Sequence, residues 1–139
     1  MSKKKFVARL LGRNEVPPVE TNATGRLVMA LSEDKRRLFF RLEVNRLRRF
    51  ISAHLHLGAR GVNGPIVAFL FGETIPGISV DHGVVKGTLT ANSLTGPLKG
   101  QSIADLVRLI KEGQIYVNAH TEQNPDGEIR GQVRAIRKY

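Results

Sequence analysis

Four histidines carry most of the chemistry this chain can offer: His54, His56, His82 and His120. His54 and His56 stand at i and i+2 in Ala53-His-Leu-His-Leu57. On a predicted strand their rings leave the same face, with Cβ atoms about 7 Å apart. His120 closes a second predicted strand, 115–120, two positions beyond Asn118 and on the same face as it. Three imidazoles drawn from two neighbouring strands suit copper or zinc, with one coordination position left open. The same rings have a second reading, in which neutral imidazoles satisfy buried backbone groups or one another. His82, between Asp81 and Gly83, belongs to a different part of the pattern. Arg130 shares one side of its strand with Glu128. It is expected either to guide an anion beside His120 or to clamp backbone carbonyls or Asn118 with its planar fork.

Other chemistry is excluded or unsupported. The chain has no cysteine, so it forms no disulfide, carries no thiol nucleophile and ligates no zinc or iron–sulfur cluster through sulfur. It contains no phosphate-cradling glycine loop, no Gly-x-Ser-x-Gly elbow and no His-Glu-x-x-His helix. The acids are scattered, and no pair is placed by spacing for general acid–base work. The residues therefore point to binding rather than catalysis.

The elements that must position the histidines follow a period of two. Phe6, Ala8 and Leu10 alternate with Val7, Arg9 and Leu11, and Leu27, Met29 and Leu31 repeat the pattern. Phe40, Leu42 and Val44 do so again after the polar turn Ser32-Glu-Asp-Lys35. Further strands are predicted at 51–57, 65–71, 80–90, 115–120 and 128–136. Asn124-Pro-Asp-Gly127 fits a type I turn, with Pro125 at its second position. Short strands with frequent turns predict an all-β fold, an antiparallel Greek-key β-sandwich over one domain, residues 5–136. One helix interrupts it: Ser102-Ile-Ala-Asp105 reads as a capping box. Ile103, Leu106, Val107 and Ile110 make the apolar stripe, and Gly113 sits past the end. This helix of about eleven residues is expected to lie as a lid over one end of the sandwich.

The chain has 139 residues and a formal net charge of +10, and its 41% hydrophobic and 24% charged fractions exclude wholesale disorder. The basic excess sits in the first fifty residues and the tails 1–4 and 137–139. Such a balance suits an anionic polymer, with Arg46, Arg48 and Arg49 as the candidate contacts. Nucleic acid fits less well, because there is no Trp and few other aromatics to stack on bases. Lys3, Lys4 and Lys5 resemble the positive start of a signal peptide, but Arg9 interrupts the apolar run that follows. No stretch approaches a membrane span, so membrane insertion is not expected.

Six motifs, in order, resemble the CHRD domain, the module repeated in chordin and also found as a stand-alone bacterial protein. They are Asn14-Glu-Val-Pro-Pro-Val19, Thr24-Gly25, Ala53-His-Leu-His56, Gly61-Val-Asn-Gly-Pro65 and Gly87-Thr-Leu-Thr90. The sixth is Tyr116-Val-Asn-Ala-His-Thr121 together with Asn124-Pro-Asp-Gly-Glu-Ile-Arg-Gly131. The resemblance spans about residues 5–136. It implies a β-sandwich binding or structural module, usually extracellular or at a cell surface, without an established enzymatic activity. An anionic polymer, a protein or a second copy of the chain are the partners that reading allows, at a bacterial cell or spore surface. The order His54, His56, His120 and then Arg130 is also similar to the copper half of copper–zinc superoxide dismutases. The loop after His56 lacks a His-rich zinc segment, so that resemblance implies copper alone.

Overall fold

In a computed structural model of the chain, which describes residues 4–136, the period-two runs form antiparallel strands. The expected tails 1–4 and 137–139 lie outside the described residues apart from Lys4. The strands are β1 (Lys5–Leu11), β2 (Thr24–Leu31), β3 (Leu38–Leu57), β4 (Ile66–Gly72), β5 (Ile78–Leu89), β6 (Ile115–Thr121), β7 (Ile129–Gln132) and β8 (Arg134–Ile136). The helix α1 (Ile103–Lys111) precedes β6.

Pairing runs in a closed circuit. β1 joins β2, β2 joins β3, β3 joins β6, β6 joins β7, and β7 returns to β1 through Leu11 opposite Arg130. The result is all-β, between a barrel and a sandwich. β3 belongs to both layers. Its residues 38–45 lie between β2 and β5, and its residues 50–57 lie between β6 and β4. The outer edge of the first layer is extended by β8, which pairs with β1.

The sequence pattern predicts separate strands at 40–44 and 51–57, whereas the chain continues through both as one strand of 20 residues. Leu47 opposite Val80 and Phe50 opposite Ile78 keep the pairing to β5 alive across the gap. Left-handed backbone at Arg46 (φ 55°) and Arg49 (φ 54°) absorbs the bend there. The run 128–136 divides the other way, into β7 and β8. Val133, buried between them, donates its N–H to the Ile115 carbonyl, the last rung in register with β6 before the chain passes to β1 as β8.

Between the layers one apolar cluster is sealed from solvent. Leu10, Leu27, Leu42, Leu55, Val117 and Ile129 are each 0% exposed within it. Burial of such side chains supplies about 1.5–3 kcal/mol apiece and drives the two layers together. α1 adds Ile103, Leu106, Val107 and Ile110 from one face. Its start is held by the reciprocal bonds of the capping box: Asp105 N–H donates to Ser102 Oγ at 3.1 Å, and Ser102 N–H donates to Asp105 Oδ2 at 2.9 Å.

Candidate metal centre

Strand alternation places Ala53, Leu55, Val117 and Ala119 in the apolar core, so His54, His56, Tyr116, Asn118 and His120 must leave the other face of β3 and β6. That face is not open to water. Segments 12–19, 58–65 and 121–128 fold across it, and every residue of β6 is buried. His54 lies opposite Asn118, His56 opposite Tyr116, and His120 opposite Ser52, one diagonal step from His54. β7 completes the layer with Arg130 opposite Asn118 and Gln132 opposite Tyr116.

The three histidines converge. One ring nitrogen from each lies within 4.8 Å of the other two, and the rings are only 6–8% exposed. Two backbone carbonyls set the protonation pattern. His56 Nδ1–H donates to the Gly64 carbonyl at 2.8 Å, and His120 Nδ1–H donates to the Pro125 carbonyl at 2.7 Å. A carbonyl only accepts, so both rings carry their proton on Nδ1 and keep a lone pair on Nε2. His120 Nε2 lies 3.0 Å from His54 Nδ1. His56 Nε2 is buried with no hydrogen-bond partner among the described residues. Burial pushes His54 down to about 3, and the neighbouring His120 and His56 act in the same direction. Burial likewise holds His56 and His120 below the ordinary imidazole value. At neutral pH all three are uncharged, the form a metal requires.

The surroundings are built to hold these rings still. Tyr116 stacks flat on His56, with centroids 4.7 Å apart and planes 5° from parallel. The Arg130 guanidinium lies 3.5 Å over the other partner of that stack, Tyr116. Arg130, 2% exposed, donates Nη2–H to the Ala59 and Val62 carbonyls and Nη1–H to Asn63 Oδ1. Its donors thus go to the 59–63 loop, the loop that presents the Gly64 carbonyl to His56, and not toward His120. Glu128 plays the matching part for the other loop. It accepts from the Thr21 and Thr121 hydroxyls and from the Gln123 and Asn124 amides. Burial opposes its charge, yet those four donors hold the carboxyl below its usual value. On the outer side, Phe69 of β4 meets the His54 ring edge-on at 4.6 Å and is itself half exposed.

Glu15 is a site residue that spacing alone did not single out. Its carboxyl is buried beside the Asn118 amide, and burial raises it to about 7 although Arg130 and Asn118 pull the other way. A Cβ at Gly127 (φ +124°) would collide with that carboxylate and with the Asn118 amide, so only glycine fits there. Glu15 lies within the Asn14-Glu-Val-Pro-Pro18 motif, and the motif's place in the order was its one signal. Asn118 Oδ1, like Glu15 Oε2, is buried without a partner among the described residues.

The remaining candidates lie elsewhere. His82 is exposed on β5, bonded to Asn45 Oδ1 at 2.8 Å and 3.6 Å from Glu43, apart from the three-histidine cluster. Arg46, Arg48 and Arg49 are exposed at the bend of β3.

The arrangement fits a single transition-metal ion. Two neutral imidazoles have fixed tautomers and inward lone pairs, each anchored through its other nitrogen to a carbonyl, as metal-binding histidines are. A third ring stands within reach. Metal–nitrogen bonds of about 2.0–2.1 Å set ligand nitrogens roughly 3.3–3.5 Å apart, so a pair at the 4.8 Å limit would close by about 1.3–1.5 Å while the 3.0 Å His54–His120 pair opens slightly.

The family model described as CHRD domain matches residues 6–133. Chordin of Danio rerio is 31% identical over 121 residues, a stretch that covers 84% of this chain and 12% of that protein. No solved structure matches the chain.

Proposed function

The chain belongs to the CHRD domain family, and from that premise we propose that it is a non-catalytic binding module whose three-histidine centre takes up one copper or zinc ion. The orphaned, buried His56 Nε2, aimed among rings whose tautomers are already set, supports this reading most directly. When bound, the ion would take His54, His56 and His120 as its protein ligands and would replace the hydrogen bond between His54 and His120 with coordination. Tyr116 and Arg130 keep His56 oriented, and the Pro125 carbonyl does the same for His120.

Titration with Cu(II) or Zn(II), followed by melting, tests it. One equivalent is expected to bind, and at a free-metal concentration 100-fold above Kd it stabilises the fold by about 2.7 kcal/mol. His56→Ala should lose both effects. No stoichiometric binding, or unchanged binding in His56→Ala, overturns the reading.

A second reading, that the module binds an anionic polymer at a cell surface or outside the cell, is favoured by the distribution of cations over the outer face of the first layer. It is independent of the metal.

A further inference from the structure

β8, β1, β2, the first half of β3, and β5 lie side by side, and their antiparallel registers assemble rows of side chains on the outer face. One row runs Arg134, Val7, Val28, Arg41, Lys86. The next runs Arg9, Arg26, Glu43, Val84. Lys5 stands two residues before Val7 on the same face. The two rows and Lys5 thus carry six cations and a single acid, Glu43, which is engaged by Arg41 at 3.0 Å. Among the described residues no ion pair includes Arg9, Arg26 or Arg134.

Two of these pairings are like with like: Arg9 stands directly opposite Arg26, and Arg41 directly opposite Lys86. Like charges directly across a ladder destabilise a sheet. A fold that keeps two such rungs on one face gives up stability there, as binding surfaces do. A groove of about 580 Å³ opens at the same place, bordered by Arg9, Arg26 and Arg134, by Glu43, whose charge Arg41 engages, and by the polar Thr24 and Asn45.

We infer that this groove and the cationic rows beside it bind a linear anionic polysaccharide, its carboxylate or sulfate groups seated between Arg9 and Arg26 and against Arg134. The inference rests on the second reading above. Planar guanidinium forks on strands about 4.8 Å apart present paired donors to oxyanions repeated along an extended chain. The two rows contain no aromatic side chain on which a base could stack, and Phe39, exposed in the row of Lys5, has Arg37 over its ring, which favours a saccharide over a nucleic acid. Arg46, Arg48 and Arg49, at the bend of β3, line no part of this groove.

The test uses the full chain with three probes: a heparin oligosaccharide for sulfate, polygalacturonate for carboxylate, and duplex DNA. The parent should bind at least one polysaccharide, with affinity falling as salt rises. The double variant Arg9→Gln/Arg26→Gln should bind about tenfold or more weakly, with a salt slope smaller by about two units. Its melting temperature should equal or exceed the parent's, because the like-charge rung is relieved. Arg46→Gln/Arg48→Gln/Arg49→Gln should stay within about twofold of the parent. If the parent binds neither polysaccharide, the polymer reading itself fails. Unchanged polysaccharide binding in the double variant, or its loss in the triple variant, shows that the polymer is held elsewhere and overturns this site. Tighter binding to DNA than to either polysaccharide overturns the ligand class.

Discussion

Acidification tests the histidine cluster without changing a residue. The native state keeps His54, His56 and His120 neutral, while the unfolded chain protonates each below about 6.5. Protons therefore bind preferentially to the unfolded state, and the stability these rings contribute, complete above pH 6.5, is lost as pH falls toward the native values. Between pH 7 and pH 5 full linkage for His54 is about 2 kcal/mol, and screening at the cluster's rim reduces this to about 1–1.5 kcal/mol, while His56 and His120 add losses of the same sign. Glu15 acts in the opposite sense. Its carboxyl is raised to about 7 in the fold against 4.5 in the free chain, so its contribution is present below pH 4.5 and fades as pH rises through 7. Over the same interval it returns about 1–1.5 kcal/mol, which offsets His54 and leaves a net loss set by His56 and His120. Urea unfolding of the metal-free protein at pH 7, 6 and 5 measures it. Glu15→Gln removes the offset, so its stability should fall more steeply over that range than the parent's. Stability that stays level or rises from pH 7 to pH 5, or an identical slope in Glu15→Gln, would refute a neutral cluster opposed by a protonated carboxyl.

Arg130→Lys keeps the charge but loses the planar fork that reaches Ala59, Val62 and Asn63. About 2–4 kcal/mol of stability should go with it, read by thermal or urea unfolding, and unchanged stability would mean the clamp on the 59–63 loop is not structural. Leu42→Ala, at a fully buried position between β2 and β5, should cost about 2–5 kcal/mol from lost burial and the residual cavity. A cost near zero would place that face of β3 outside the core.

Much of this architecture was legible in the chain itself, because period-two alternation is local. The runs at Phe6–Leu10, Leu27–Leu31 and Phe40–Val44 became strands with the expected residues inward, and the Ser102–Asp105 signature opened a helix with the expected stripe buried. The ordered motifs carried the family, which the matches over residues 6–133 show. The i, i+2 spacing put His54 and His56 on one face, since a strand leaves no alternative.

What no local pattern contains is what lies across that face. Ile115-Tyr-Val-Asn-Ala-His120 alternates apolar with polar as a half-exposed strand does, yet both faces are buried because segments 12–19 and 58–65 and the chain's own return over 121–128 close over the polar one. The bend that makes one strand of 38–57 depends on β5 supplying partners to Leu47 and Phe50. Glu15 enters the site from more than one hundred residues before Asn118, and Arg130 is turned away from His120 by the carbonyls of residues 59–62. The cationic face was hidden for the same reason. A run such as Arg46-Leu-Arg-Arg49 is visible along the chain, while Arg9, Arg26 and Arg134 become neighbours only when registers between β1, β2 and β8 bring them together. Spacing along a strand decides which face a side chain takes; pairing and loop closure decide what meets it there.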